Sequence, residues 1–584
     1  MRLAGAACLL LVAAGGAWAA PADETFEKLA ADYLSDLPEF SPVAATAIGD
    51  HRYDDRLDEV DAAARGRRLA LYRQYLDALD GIDRSKLSRA NQVDAGLLRN
   101  ELESGIFSLE VLEEWAWNPL VYVNLAGNSL YTLLARDFAP LDERMADAAA
   151  RLEQLPRFLA QVREALEPAR VPEVHARTAL SQNQGVNSII DTMLVPRTGE
   201  VSPETAERLE AAIAGARDAL AAHQAWLERD LLPKAKGEFR IGARLFDAKL
   251  AYTLQSPLSR REIRRRAEQE YVRVRDEMFR ISKAIYSDLH PYTSFPDRPD
   301  EAFKQVVIRA ALEQAYRHLP EPDRIVETAR ETLAQATEFV RAKDLVSVPD
   351  DPIEIVVMPE YQRGVAVAYL DPPGPLDQGQ KSFYAVAPLP EDWTEEQIRS
   401  FLREYNLYSI HNLTLHEAMP GHYLQLAHSN RYPSTLRAVL WSGPFVEGWA
   451  VYAERFTIDA GYLDGDPLMR LINLKWYLRT VTNAIIDQAI HVEGMTRDQA
   501  MRLMIEGAFQ EEREAAGKWT RAELTSTQLS TYFVGYQEHR DMREAVERAR
   551  GDEFDLHRYH DRALSFGSPP VRYVRALLLD EPIP

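Results

Sequence analysis

The 584-residue chain has a single cysteine, Cys8, inside the apolar stretch at its N-terminus. Beyond residue 19 there is no thiol, which excludes disulfides, thiolate metal ligands and a cysteine nucleophile from the rest of the chain. Basic charge is also scarce: 68 Lys and Arg stand against 90 Asp and Glu, a formal net charge of −22. Phosphate backbones need a basic face, so no nucleic-acid partner is expected. Long apolar runs are lacking too. After the N-terminal stretch nothing approaches the ~20 apolar residues that span a bilayer, and no integral membrane segment is expected. Gly-x-Ser-x-Gly does not occur, which disfavours a serine hydrolase.

The N-terminus is a separate object. Arg2 supplies a positive start, Leu3 to Val12 form a short apolar core, and Ala17-Trp18-Ala19 fits a small-x-small cleavage pattern. These features predict a signal peptide over residues 1–19 and a mature chain from about Ala20. Only seven residues precede Cys8, little room for a lipoprotein leader, so acylation there is not expected. An exported chain without disulfides points to the periplasm of a Gram-negative bacterium.

With 46% hydrophobic and 27% charged residues, the remainder reads as globular. Single cores stop growing at roughly 250–300 residues, so residues 20–584 are expected as one unit of two lobes, about 20–280 and 281–584. The first lobe is helical in pattern: Leu209, Ile213, Ala216 and Leu220 recur at the spacing of one helix face. Ser259 and Glu262 begin another helix as a capping box. Its arginines at 260, 261, 264, 265 and 266 are expected to form a solvated, ion-paired face. Ile353 to Met358, Val365 to Leu370 and Ser382 to Ala387 are short β-branched or aromatic runs between turn-formers. The fold class is therefore mostly α, with a small antiparallel sheet beside the later helices. Val365–Ala368 or Phe383–Val386 could offer an edge to an extended substrate.

Four of the 13 histidines lie between His411 and His428, around His416-Glu417-Ala418-Met419-Pro420-Gly421-His422. Two imidazoles that hold zinc, with a carboxylate beside them to activate water, form the chemistry of a zinc hydrolase. A gap of four puts two histidines about 40° apart on a helix, whereas the gap of six here puts them about 120° apart. A straight helix would spoil the site. Pro420 cannot donate to the His416 carbonyl, so the helix must bulge or break there, and Gly421 tolerates the resulting backbone. His416 and His422 are the expected ligands and Glu417 the general base.

A third ligand is required. Glu447-Gly448-Trp449-Ala450 begins 25 residues after His422 and looks like the third-ligand segment of aminopeptidase-N-type zinc peptidases, which makes Glu447 the expected ligand. Glu454, seven residues on and on the same helix face, is the competing ligand or a partner that orients one.

The segments Leu415 to Gln425 and Glu447 to Ala450 resemble the bacterial "domain of unknown function 885" family. Phe40-Ser41-Pro42, Asp54 to Leu57, Phe554 to Leu556 and Tyr559 to Asp561 add to that similarity. The resemblance covers nearly all of the mature chain and implies a helical, zinc-peptidase-like fold, but no settled substrate. In gluzincin peptidases a later Tyr or His stabilises the oxyanion. Tyr532, in Tyr-x-x-Gly, is the first choice here, with His539 and Tyr536 as alternatives and Arg543 to bind a substrate carboxylate. His560 has a weaker case. The expected function is an exported metallopeptidase with one zinc ion that hydrolyses short peptides. The alternatives are a non-catalytic peptide- or metal-binding protein, or a metallohydrolase of a non-peptide amide or ester.

Overall fold

The computed structural model describes residues 21–358, 368–377, 379–390 and 393–584. The expected signal peptide, Cys8 and the segment 365–367 lie outside the described residues. Helices dominate, as the periodicity predicts, and they gather around separate apolar cores. Pro21–Phe40, Ala62–Asp80 and Arg89–Phe107 share a small one around Phe26, Tyr33 and Leu98. Leu141–Ala165 and Pro203–Trp226 lead a second, and the stripe Leu209, Ile213, Ala216 and Leu220 is buried in it.

The largest core runs from Phe246 to Val574. Its first long helix is α1 (Arg260–Leu289), whose N-cap Ser259 accepts from the Glu262 N–H. Four of the five arginines at its start are ion-paired: Arg260 with Asp247 (2.6 Å), Arg264 with Glu268 (2.6 Å), and Arg265 and Arg266 both with Glu262 (2.6 and 2.8 Å). Such exposed pairs contribute about 0–1 kcal/mol each, so this face serves solubility more than stability.

Three strands follow: β1 (Ile353–Val357), β2 (Ala368–Asp371) and β3 (Ser382–Val386). Their order is β1-β3-β2, with β1 parallel and β2 antiparallel to β3. The sheet is thus mixed, where an antiparallel one was expected. The physical reason is the connection: β2 returns along the far side of β3, so β1 meets β3 only after a crossover. Phe383–Val386 lies in the central strand with both edges paired, which removes it as a substrate edge. β2 is an outer strand.

The site helices are α2 (Leu407–Glu417), α3 (His422–Ser429), α4 (Gly443–Asp459), α5 (Pro467–Glu493), α6 (Glu512–Leu524) and α7 (Ser530–Arg550). α2 starts from the Asn406 cap and packs on α4, α5 and β2. α4 and α7 lie along one another. Gly448 of α4 and Gly535 of α7 meet backbone to backbone, where a Cβ on either would collide with the other helix. That approach sets Glu447 beside Tyr532. Among the described residues no helix is long and apolar enough to cross a membrane.

Candidate metal centre

The helix carrying His416 breaks where the proline requires it. α2 ends at Glu417, the Met419–Pro420 bond is cis, and α3 opens at His422. A Cβ on Gly421 would run into the His416 carbonyl oxygen, so only glycine lets the chain fold back this closely. Trp449, fully buried on α4, donates from its indole Nε1 to the Pro420 carbonyl at 2.9 Å and ties the break to the next ligand helix. The result places the His416 and His422 rings 4.8 Å apart and nearly perpendicular.

Glu447 completes the cluster. Its Oε2 lies 3.7 Å from His416 Nε2 and 3.5 Å from His422 Nε2, and one ligand atom from each of the three residues falls within 4.8 Å of the others. Glu447 Oε2 and His422 Nδ1 are buried with no hydrogen-bond partner among the described residues. A buried acceptor left unsatisfied is costly, and a cation held between these groups would satisfy it.

Glu454 does something else. Its Oε1 takes His416 Nδ1 at 2.7 Å, while its Oε2 accepts from Asn412 (2.8 Å) and Asn473 (3.2 Å). Both oxygens are occupied, so Glu454 orients the imidazole and leaves Nε2 to face His422 and Glu447. Burial opposes charge on His416, yet the Glu447 and Glu454 carboxylates outweigh it and hold the imidazole well above its ordinary range. Burial likewise acts to raise Glu447, but the two imidazoles hold it well below the usual carboxylate range. Three carboxylates around two imidazoles make a place that favours a cation.

Glu417, next along the chain, points to the same place from another side. Its Oε2 accepts the Leu370 N–H of β2 at 3.2 Å, and burial pushes its carboxyl up despite the nearby imidazoles. His416, Glu417 and Tyr532 all line a cavity of about 650 Å³ that continues past Trp393, Phe401 and Trp476. The Tyr532 hydroxyl accepts from Arg521 at 3.2 Å and Gln528 at 3.4 Å, and burial, with Glu447 nearby, pushes the phenol up to about 12.

With this geometry in hand, relatives can be compared. The family model described as "Bacterial protein of unknown function (DUF885)" matches residues 42–578. The chain belongs to the DUF885 family. A solved structure described as that of "a putative lipoprotein of unknown function from Shewanella oneidensis" is 33% identical, with a TM-score of 0.80 over 95% of this chain and 99% of that one. A "putative lipoprotein from Colwellia psychrerythraea" shares the fold at 19% identity, with a TM-score of 0.76 and the same coverage. No curated protein matches. The expectation that a lipid anchor is unlikely is overturned by these two structures, both described as those of a "putative lipoprotein".

Within this DUF885 fold the other expected residues scatter. His539 is fully buried among Phe445, Trp449 and Tyr452, and its Nε2 donates to the Phe445 carbonyl at 2.9 Å. Burial lowers it to about 4, and it does not line the cavity. Tyr536 stacks edge-on against Tyr477, and Arg543 reaches Tyr452 at 3.5 Å; neither lines the cavity. All four share one face of α7, so the reason is position along the helix: Tyr532 lies in its first turn at the cavity, and Tyr536, His539 and Arg543 are carried about 6–17 Å further along the axis. His560 is pinned between the Leu345 carbonyl and Tyr452. The cavity instead holds charged residues that the sequence reading passed over, Glu404, Arg479, Glu514, Lys518 and Arg521. In sequence, Lys518 and Arg521 look like the polar side of an ordinary amphipathic helix.

Proposed function

We propose that this DUF885 chain is a zinc-dependent peptidase acting on short peptides. The observation that carries the reading is the convergence of His416, His422 and Glu447 ligand atoms within 4.8 Å, with Glu417 at the same cavity. These three residues would hold the ion, and zinc when bound supplies a Lewis acid that polarises a carbonyl and acidifies water. Glu417 is the proton carrier. Its Oε2 is held by the Leu370 N–H and its Oε1 has no hydrogen-bond partner among the described residues, so Oε1 can take the proton of an attacking water. It then delivers that proton to the leaving amine as the C–N bond breaks. Burial raises its basicity toward that task. Tyr532, fixed as an acceptor by Arg521 and Gln528, keeps its own O–H to donate to the developing oxyanion. A buried carboxylate base beside the ligands has no use in a pure binding site.

The cavity of about 650 Å³ suits a few residues of a short peptide. A lipid anchor at Cys8, the only cysteine, belongs with this reading, given the Shewanella relative's description. The test is metal content by plasma mass spectrometry, followed by digestion of a mixed peptide pool with and without chelator. Fragments that vanish with chelator and return with zinc are expected. Stoichiometric zinc with no fragments would overturn the peptidase in favour of a binding protein.

A further inference from the structure

The charges along the cavity are unevenly matched. Glu404 takes Lys475 at 2.8 Å, Glu514 takes Arg479 at 2.5 Å, and Glu511 faces Arg403 at 3.6 Å. No carboxylate beyond the metal centre is therefore left to receive a substrate ammonium. Three cations of the lining have no carboxylate bound to them: Arg513, exposed and stacked over the Trp393 ring, and the less exposed Lys518 and Arg521. Lys518 is only 8% exposed and lines the cavity, yet it makes no hydrogen bond or ion pair among the described residues. Arg521, three residues on and so on the same face of α6, has Gln528 and Tyr532 as partners but no carboxylate. Glu514 and Glu447 act on the Lys518 ammonium without bonding to it, and burial together with Arg479 outweighs them and pulls it down to about 7. A ligand anion would offset that burial.

We propose that Lys518 and Arg521 form the subsite for the free C-terminal carboxylate of a short peptide. The inference rests on the peptidase reading and adds the direction in which the substrate lies. Arg521 touches Tyr532, which faces the scissile carbonyl in that reading. The carboxylate therefore sits one or two residues beyond the cleaved bond, and the products are a single amino acid or a dipeptide from the C-terminal end.

The test is binding calorimetry on the zinc-loaded Glu417→Gln protein with an N-acetyl tripeptide, as free acid and as C-terminal amide. The acid should bind about 10- to 100-fold more tightly, the worth of charge-assisted hydrogen bonds. Lys518→Met in the same background should abolish the preference and Lys518→Arg should keep it. Thermal melts should show Lys518→Met at or above the parent, because it removes an unpaired buried charge. Equal binding of acid and amide, a preference that survives Lys518→Met, or binding of neither peptide would overturn the subsite. Chelator-sensitive cleavage of amidated and free peptides at equal rates would sink the subsite while leaving the peptidase standing.

Discussion

Gly448 and Gly535 touch backbone to backbone, and this contact lets the helix of Glu447 lie close against the helix of Tyr532. Gly448→Ala should push α4 and α7 apart. Overpacking of this kind costs about 1–3 kcal/mol, so the melting temperature should fall. The retained folded protein should also hold zinc more weakly. Calorimetric melting with parallel metal analysis checks both, and an unchanged melt would show that the helices can slide without penalty.

Glu447 and Glu454 are both carboxylates near His416, but their roles separate under dialysis. Glu447→Ala removes a proposed ligand and should leave little zinc. Glu454→Ala frees the His416 ring, and losing such an orienting partner weakens metal binding by about 10- to 100-fold. Zinc should then be recovered at high concentration only in the Glu454 variant. The reverse pattern would assign the ligand to Glu454.

Glu417→Gln should keep zinc near stoichiometric while turnover falls by about 10²–10⁴-fold, the usual worth of a general base. Tyr532→Phe should also keep zinc and lose about 10²–10³-fold in kcat, as for an oxyanion donor. Either variant at near wild-type rate, with zinc bound, would remove that residue from the mechanism. His539→Gln should stay far closer to wild type, because His539 faces the core.

Lys518 gives a pH dependence whose sign follows from its surroundings. Burial and the Arg479 and Arg521 guanidiniums lower it to about 7, with Glu514 and Glu447 pulling the other way. It is charged below that pH and neutral above it, and a carboxylate needs the charged form. KM for free-acid peptides should therefore climb as pH rises past about 7, with little change for amidated ones. Lys518→Arg should flatten the climb, since guanidinium stays protonated throughout.

Much of the site was legible because its logic is local. His416, Glu417 and His422 sit within seven residues, and Pro420 and Gly421 dictate a broken helix there whatever surrounds them. The mostly helical class was readable for the same reason, since an apolar stripe such as Leu209 to Leu220 is a property of one segment. The antiparallel expectation for the sheet failed because pairing direction depends on how the chain returns, which strand composition does not encode.

His539, Tyr536 and Arg543 lie within eleven residues of Tyr532, yet only Tyr532 reaches the cavity. All four lie on one face of α7, and which of them meets the cavity was decided by where that helix sits along α4, a close placement that the Gly448–Gly535 contact permits. The cavity's charge balance is further still from any local pattern. Glu404 meets Lys475 and Arg479 meets Glu514, pairs 71 and 35 residues apart in the chain, and Lys518 is left without a bonded carboxylate only because the others are matched. Local spacing determined which residues could carry the chemistry. Tertiary packing decided which of them share one desolvated space, because burial, and the loss of water's screening that comes with it, exists only once distant segments meet.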